Sequence, residues 1–386
     1  MEMNLADMLC YSDIHELSRI ALTYECECNG HSKNELIQSI LNTVGRREIF
    51  EKYVRSLSLE DVRFLNSLLF DSRNSFSLEE LMARAKQTRF QEAEPDEGAW
   101  SPRDTIGKFK RHGWLFNGYS QQTKYLFQVP EDLKRRFCEV LAGKFKERLV
   151  TSAEPGVYRD ERQLIVDDTL QFLRYIGDQG EVPLTVEGTM YKRQLQHVLE
   201  AMSVGEDMVA KGAWRFGYGR MFKEYPNRLS LIYDYCYYHH LIAEGDRTLT
   251  LTDEGRARVL ESRKENGAQL YRFWLRLYKN PIPNVQSIVQ WLERLAQGWV
   301  TVESLGGVLG ELIKPFYYDS AQSIFEQRIL QMMMHLGLLR IGEAERLGQV
   351  VQVTKLGSGI IRGTQVAEAD KVALSPGPQD VFDNHL

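Results

Sequence analysis

Three stretches of this chain share one grammar, and that repetition limits what it can fold into more than any other feature. They are HGWLFNGYSQQTKYLFQVPEDL (112–133), HHLIAEGDRTLTLTDEGRARVL (239–260) and LGLLRIGEAERLGQVVQVTKLGSGII (336–361). Each reads as a helix end, an apolar strand, a polar turn, a second strand and an exit marked by Pro or Gly. In the second, Glu244-Gly245-Asp246-Arg247 makes the turn, while Leu249 and Leu251 alternate with Thr250 and Thr252. Alternation with a period of two buries one face of a hairpin. The intervals between the stretches are unequal, so they mark related domains and not a solenoid of fixed period.

Helical patterns precede each hairpin. Before the first lie 58–70, 77–86 and 101–113, with Ser77/Glu80 and Ser101/Asp104 as capping pairs. Before the second, 164–176 is followed by a short extended piece at Val182-Pro183-Leu184. A helix from about Thr189 and another over 227–240 complete that set. Before the third come 284–298, 304–313 and 320–337. A hairpin closing a three-helix set is the pattern of a winged helix-turn-helix. The expected fold is therefore mainly α with small β-hairpins (α+β), a tandem winged-helix array. The expected domains are a helical element at 1–55, winged-helix-like domains at 56–150, 157–262 and 263–365, and a disordered tail at 366–386. The acidic stretch 91–98 reads as a loop and 151–156 as a linker.

Two motifs add a family resemblance. SDIHELSRIALTYECECNGHSKNELIQSIL (12–41) resembles a SAP-like helix–loop–helix, in which Leu17, Ile20 and Ala21 pack on Leu36, Ile37 and Ile40. VPLTVEGTMYKRQL (182–195) is similar to the Leu-Thr-x-x-Gly-x-x-x-Lys-Arg motif of helicase-associated domains, found in the N-terminal region of xeroderma-pigmentosum-B type helicases. The resemblance spans most of 12–360. It implies a DNA-associated module that accompanies a superfamily 2 helicase. No G-x-x-x-x-G-K-[ST] loop occurs, because Lys108 and Lys144 each follow a glycine without the upstream glycine, so the resemblance implies the accessory part without the motor.

Charge narrows the expected contact surface. The 386-residue chain carries a net −5, yet residues 101–150 hold eleven Lys/Arg against five Asp/Glu. That segment supplies the last helix and the hairpin of the first domain, the elements that approach DNA in many winged helices. Arg103, Lys108, Lys110, Arg111, Lys124, Lys134, Arg135 and Arg136 are its candidate phosphate contacts. The alternative is a solvated basic helix pair over 132–149. KGAWRFGYGR (211–220) adds Lys211, Arg215 and Arg220 among aromatics, a pattern suited to stacking and neutralising a single strand, or to tucking into a neighbouring domain. The last helices of the second and third domains are aromatic and Met-rich and nearly uncharged. They are expected to pack on each other or on a partner.

Enzymatic chemistry finds little footing. His239-His240 has no nucleophile motif beside it, and Glu79-Glu80 and Asp167-Asp168 read as solvated helix positions. Cys26, Cys28 and His31 form the one metal-like cluster, short of a fourth ligand; no cofactor is expected. Five sparse cysteines, an acidic N-terminus and the lack of a long apolar run place the chain in the cytoplasm, away from membranes. The leading expectation is a non-enzymatic DNA-associated accessory protein serving a helicase or another nucleic-acid machine in trans. A protein–protein scaffold without nucleic-acid binding and a winged-helix transcription regulator are the alternatives.

Overall fold

The computed structural model describes residues 3–90, 100–210, 218–367 and 372. The chain is about 54% helical, with small antiparallel sheets. It divides into two compact units, Met1–Arg148 and Leu149–Leu386.

The first unit runs α1 (Leu5–Tyr11), α2 (Ile14–Thr23), α3 (Lys33–Gly45), α4 (Arg47–Arg55), α5 (Leu59–Leu69), α6 (Leu78–Gln87), α7 (Pro102–Arg111), β1 (Phe116–Asn117), β2 (Phe127–Gln128) and α8 (Glu131–Lys146). Side-chain caps set most of the helix starts. Ser58/Asp61, Ser77/Glu80 and Ser101/Asp104 are complete capping boxes, in which each side chain satisfies a backbone N–H of the other residue. Helices α2 and α3 pack as the sequence anticipates, with Leu17, Ile20, Ala21, Leu36, Ile37 and Ile40 all buried. The core centres on aromatic rings: Phe50 and Phe109 meet Trp114 edge-on, and Phe137 closes on Phe50 at 5.0 Å. The stretch 132–149, read from sequence as a helix pair, is mostly one 16-residue helix, α8. Its apolar positions Leu133, Phe137, Leu141 and Phe145 keep helical spacing without a break, so nothing in the sequence divides it.

The second unit runs β3 (Val157–Arg159), α9 (Leu164–Gln179), β4 (Val182–Pro183), α10 (Lys192–Ala201), α11 (Asn227–Tyr238), β5 (Ile242–Glu244), β6 (Thr248–Leu251), α12 (Asp253–Leu260), α13 (Gly267–Tyr278), α14 (Val285–Leu295), β7 (Val300–Thr301), α15 (Val302–Leu309), α16 (Ala321–Ser323), α17 (Gln331–His335), β8 (Leu339–Ala344), β9 (Gly348–Val353) and α18 (Lys355–Gly363). Between α16 and α17 the helix widens into a π turn over Ile324–Leu330, which sets the Arg328 guanidinium 3.0 Å from Asp319. The sheets are ordered β4–β6–β5 and β3–β8–β9–β7. Strand β3, which lies within the second expected domain, pairs with β8 of the third, Tyr158 opposite Gly342. The two expected domains therefore share one sheet.

All three hairpins form, and their surroundings repeat in detail. Each last helix ends on a left-handed residue: Gly113 (φ 62°), His240 (φ 54°) or Gly337 (φ 71°). The next N–H then reaches back five residues, Trp114 to Phe109, Leu241 to Cys236 and Leu338 to Met333. A short extended piece ahead of the middle helix pairs with the second hairpin strand each time: Phe76 with Phe127, β4 with β6 and β7 with β9. After the second and third hairpins a threonine caps the following helix, Thr252 through Gly255 N–H and Thr354 through Gly357 N–H. These glycines are steric necessities, since a Cβ on either would stand 2.0 Å from the Leu241 or Leu338 carbonyl oxygen.

The expected tail begins in contact with the core. Val366 and Val372 are buried, Val366 N–H donates to Gln286 Oε1 at 3.0 Å, and Lys279 Nζ donates to the Ala367 carbonyl at 3.0 Å. The other residues from 368 onward lie outside the described residues, as does the stretch 91–98 expected to be a loop.

Candidate nucleic-acid interface

The basic segment of the first unit faces a groove of about 640 Å³, built from α2, α7 and the β1–β2 hairpin. Tyr24 at the end of α2 donates its hydroxyl to the His112 carbonyl at 2.9 Å, tying α2 to the end of α7. Burial lowers the proton affinity of His112, and the Lys108 and Arg111 charges act in the same direction. Lys110 Nζ lies 3.2 Å from Glu16 of α2 and donates to Asn117 Oδ1 of β1 at 2.8 Å, while Asn117 Nδ2 donates to the Lys124 carbonyl. One lysine thus sets helix, helix and hairpin against each other.

Along this groove stand Arg19, Lys110, Arg111 and Lys124, opposed by Asp13 and Glu16. Arg19, Arg111 and Lys124 are exposed and have no acidic partner among the described residues. Aromatic rings rim the same opening. Tyr11 and Tyr119 stack at 4.6 Å with planes 21° apart, and are 63% and 51% exposed. Tyr125 is 73% exposed with the Lys124 ammonium 4.9 Å over its ring.

The candidate cations of the sequence reading divide sharply. Lys110, Arg111 and Lys124 line the groove. Arg103 is exposed at the start of α7, outside the groove lining, and Arg135 is exposed on α8 beside Glu139 at 3.9 Å. Lys108 is ion-paired with Asp61. Lys134 is buried, bonded to Asn74 Oδ1 at 2.8 Å and Glu131 at 3.0 Å. Arg136 donates to the Val44 carbonyl at 2.9 Å and covers the Phe50 ring at 4.1 Å, and burial lowers its proton affinity. Those three serve packing, because an amphipathic cation reaches along its apolar stem into the nearest acceptor. Arg220 makes a bidentate pair with Glu244, both bonds 2.9 Å, and lies 3.8 Å over Tyr237; it is part of the second unit's interior. Tyr218 is likewise buried against Tyr278 and bonds Asp319 at 3.2 Å. Lys211 and Arg215 lie outside the described residues. Arg19 escaped the sequence reading. It sits in an element judged by its apolar stripe, and only the packing of α2 on α7 brings it to the basic segment.

The remaining candidates are accounted for locally. Cys26 Sγ contacts Thr43 Oγ1 at 3.5 Å, Cys28 Sγ contacts the Cys26 carbonyl at 3.8 Å, and no disulfide joins Cys10, Cys26, Cys28, Cys138 or Cys236. Among the described residues no three His, Cys, Asp or Glu side chains gather to hold a metal, and His31 with Cys26 and Cys28 is no exception. His239 stacks on Tyr235 at 4.0 Å. Glu80 completes its capping box and pairs with Arg73. Asp168, expected in solvent, is fully buried against Arg228 at 2.6 Å, because its side of α9 faces the core. No helix among the described residues is long and apolar enough to cross a membrane. No family model, curated protein or solved structure matches this chain.

Proposed function

We propose that this protein is a non-catalytic DNA-associated accessory protein whose contact surface is the groove between α2, α7 and β1–β2. In this reading α2–α3 is a SAP-like element, and each helix set with its hairpin is a winged helix-turn-helix. The observation that carries it is the convergence of Arg19, Arg111 and Lys124, without acidic partners among the described residues, with the exposed Tyr11–Tyr119 stack. Free cations neutralise phosphates and release counterions, while exposed rings offer faces to unstacked bases. Lys110 can contribute only by leaving Glu16, so it holds the groove's shape.

The test is a salt titration of DNA binding by fluorescence anisotropy, with duplex, single-stranded and forked probes. With about three phosphates neutralised, the slope of log K against log salt is expected near −2 for single strands and near −3 for duplex. Arg19→Glu/Arg111→Glu/Lys124→Glu weakens binding at least tenfold at about 50 mM salt, whereas Arg135→Glu on α8 changes it less than twofold. No retention at low salt, or a triple variant that binds like the parent, overturns the reading.

A further inference from the structure

The second unit holds a buried charge cluster with an unfilled side. His335 closes α17, is almost fully buried, and sets Nδ1 2.9 Å from Glu161 Oε2. A carboxylate can only accept, so Nδ1 carries the proton in this bond. Burial alone would raise the Glu161 carboxyl, but the bond to His335 and the Arg159 and Arg228 charges hold it below the usual range. Arg159 meets Glu161 at 2.6 Å, Arg228 at 3.5 Å, and Arg228 also pairs with Asp168. Two carboxylates thus face two guanidiniums in this cluster. The Nε2 of His335 is buried and has no hydrogen-bond partner.

His335 lines a pocket of about 460 Å³, together with Arg159, Glu206, Asp207, Asn227 and Gln331. Glu206 accepts from the N–H groups of Arg228 and Leu229, both at 2.9 Å, and so neutralises the positive start of α11. Asn227 donates to Gln331 Oε1 at 3.4 Å. Arg159 is matched by Glu161, which leaves Asp207 an exposed carboxylate with no cation opposite it among the described residues. The pocket lining therefore includes an imidazole whose buried Nε2 is unpartnered and a carboxylate with no cation opposite it among the described residues.

We propose that this pocket binds an organic cation bearing N–H donors, a guanidinium or primary ammonium group, which donates to His335 Nε2 and is neutralised by Asp207. The pocket is independent of the DNA groove, and either can fail alone. An anion would meet Glu206 and Asp207, and an apolar ligand would leave Nε2 unsatisfied, at a desolvation cost the cation removes.

Calorimetric titration of the full chain with agmatine, which carries both groups, tests it. N-butylurea serves as the uncharged control and zinc chloride as a metal control. Saturable agmatine binding, absent with N-butylurea and weakened about tenfold or more by Asp207→Asn and by His335→Gln, is the expected result. Thermal melts monitor folding; should His335→Gln unfold, the exposed Asp207→Asn decides. No saturation up to about 10 mM agmatine, equal binding by Asp207→Asn, or saturation by zinc alone overturns the proposal.

Discussion

Helices α7 and α11 occupy the same place in their repeats, directly ahead of a hairpin, yet they meet opposite fates. In α7 only Ile106 and Phe109 are buried, and the last turn carries Lys108, Lys110 and Arg111. In α11 every residue from Arg228 to Cys236 is buried, and the helix contacts α13 and α17. A helix needs only about a third of its surface apolar to dock on a core; one that is apolar all round must be covered on every side. The repeat thus dictates a backbone path, while composition decides which copy keeps an exposed, charged face. The three-methionine run of α17 is likewise buried, and Asn227 bonds Gln331, so the nearly uncharged last helices pack on each other, one of the two outcomes their sequences anticipate.

The sharpest way to break this comparison is to attack what α11 is packed for. Arg228→Met leaves the buried Asp168 carboxylate without its cation and takes one of three partners from Glu161, at a cost of about 3–5 kcal/mol, read from the denaturant midpoint. Arg111→Glu on α7 has no such partner to lose, and stability should change by no more than about 0.5 kcal/mol. A loss in Arg111→Glu as large as in Arg228→Met would erase the distinction between the helices. Gly255→Ala comes next: its Cβ would strike the Leu241 carbonyl, costing about 1–3 kcal/mol, and Gly357→Ala should match it if the two hairpins are equivalent.

A pH titration sharpens the buried side of the comparison. Asp234, inside α11, is pushed up to about 7 by burial, against the backbone bond from Arg220. Its folded value lies above its unfolded one, so the folded state holds a proton that the unfolded chain has released. Stability contributed by this group is complete below about pH 4 and falls as pH rises towards 7. Asp234→Asn should flatten that decline and leave the variant more stable than the parent at pH 8, on the order of 1 kcal/mol or more, by urea melts at several pH values. A parent whose stability rises with pH across that window, with no change in slope in the variant, would sink this assignment. Ser77→Ala is expected to lose the cap of α6 for about 1 kcal/mol.

Local pattern made much of the fold legible. The three hairpins, the capping boxes at Ser77 and Ser101 and the α2–α3 packing all rest on interactions within a few dozen residues, where periodicity and turn chemistry act directly. The basic segment was legible as charge, but charge says nothing about direction. Lys108, Lys134 and Arg136 stand in the same run as Arg111 and Lys124, and whether each turned to solvent or to Asp61, Asn74 or Val44 depended on neighbours 47 to 92 residues away.

By itself, then, the sequence determined a repeated helix-and-hairpin path, a cationic last helix in the first copy and apolar ones in the others, because those are matters of spacing and composition. Only the tertiary structure decided that β3 crosses to β8, that Arg19 joins Arg111 and Lys124 along one groove, and that His335 meets Glu161 across 174 residues while keeping one nitrogen unpartnered. The physical reason is that such contacts are set by which faces pack together, and no local periodicity records that choice.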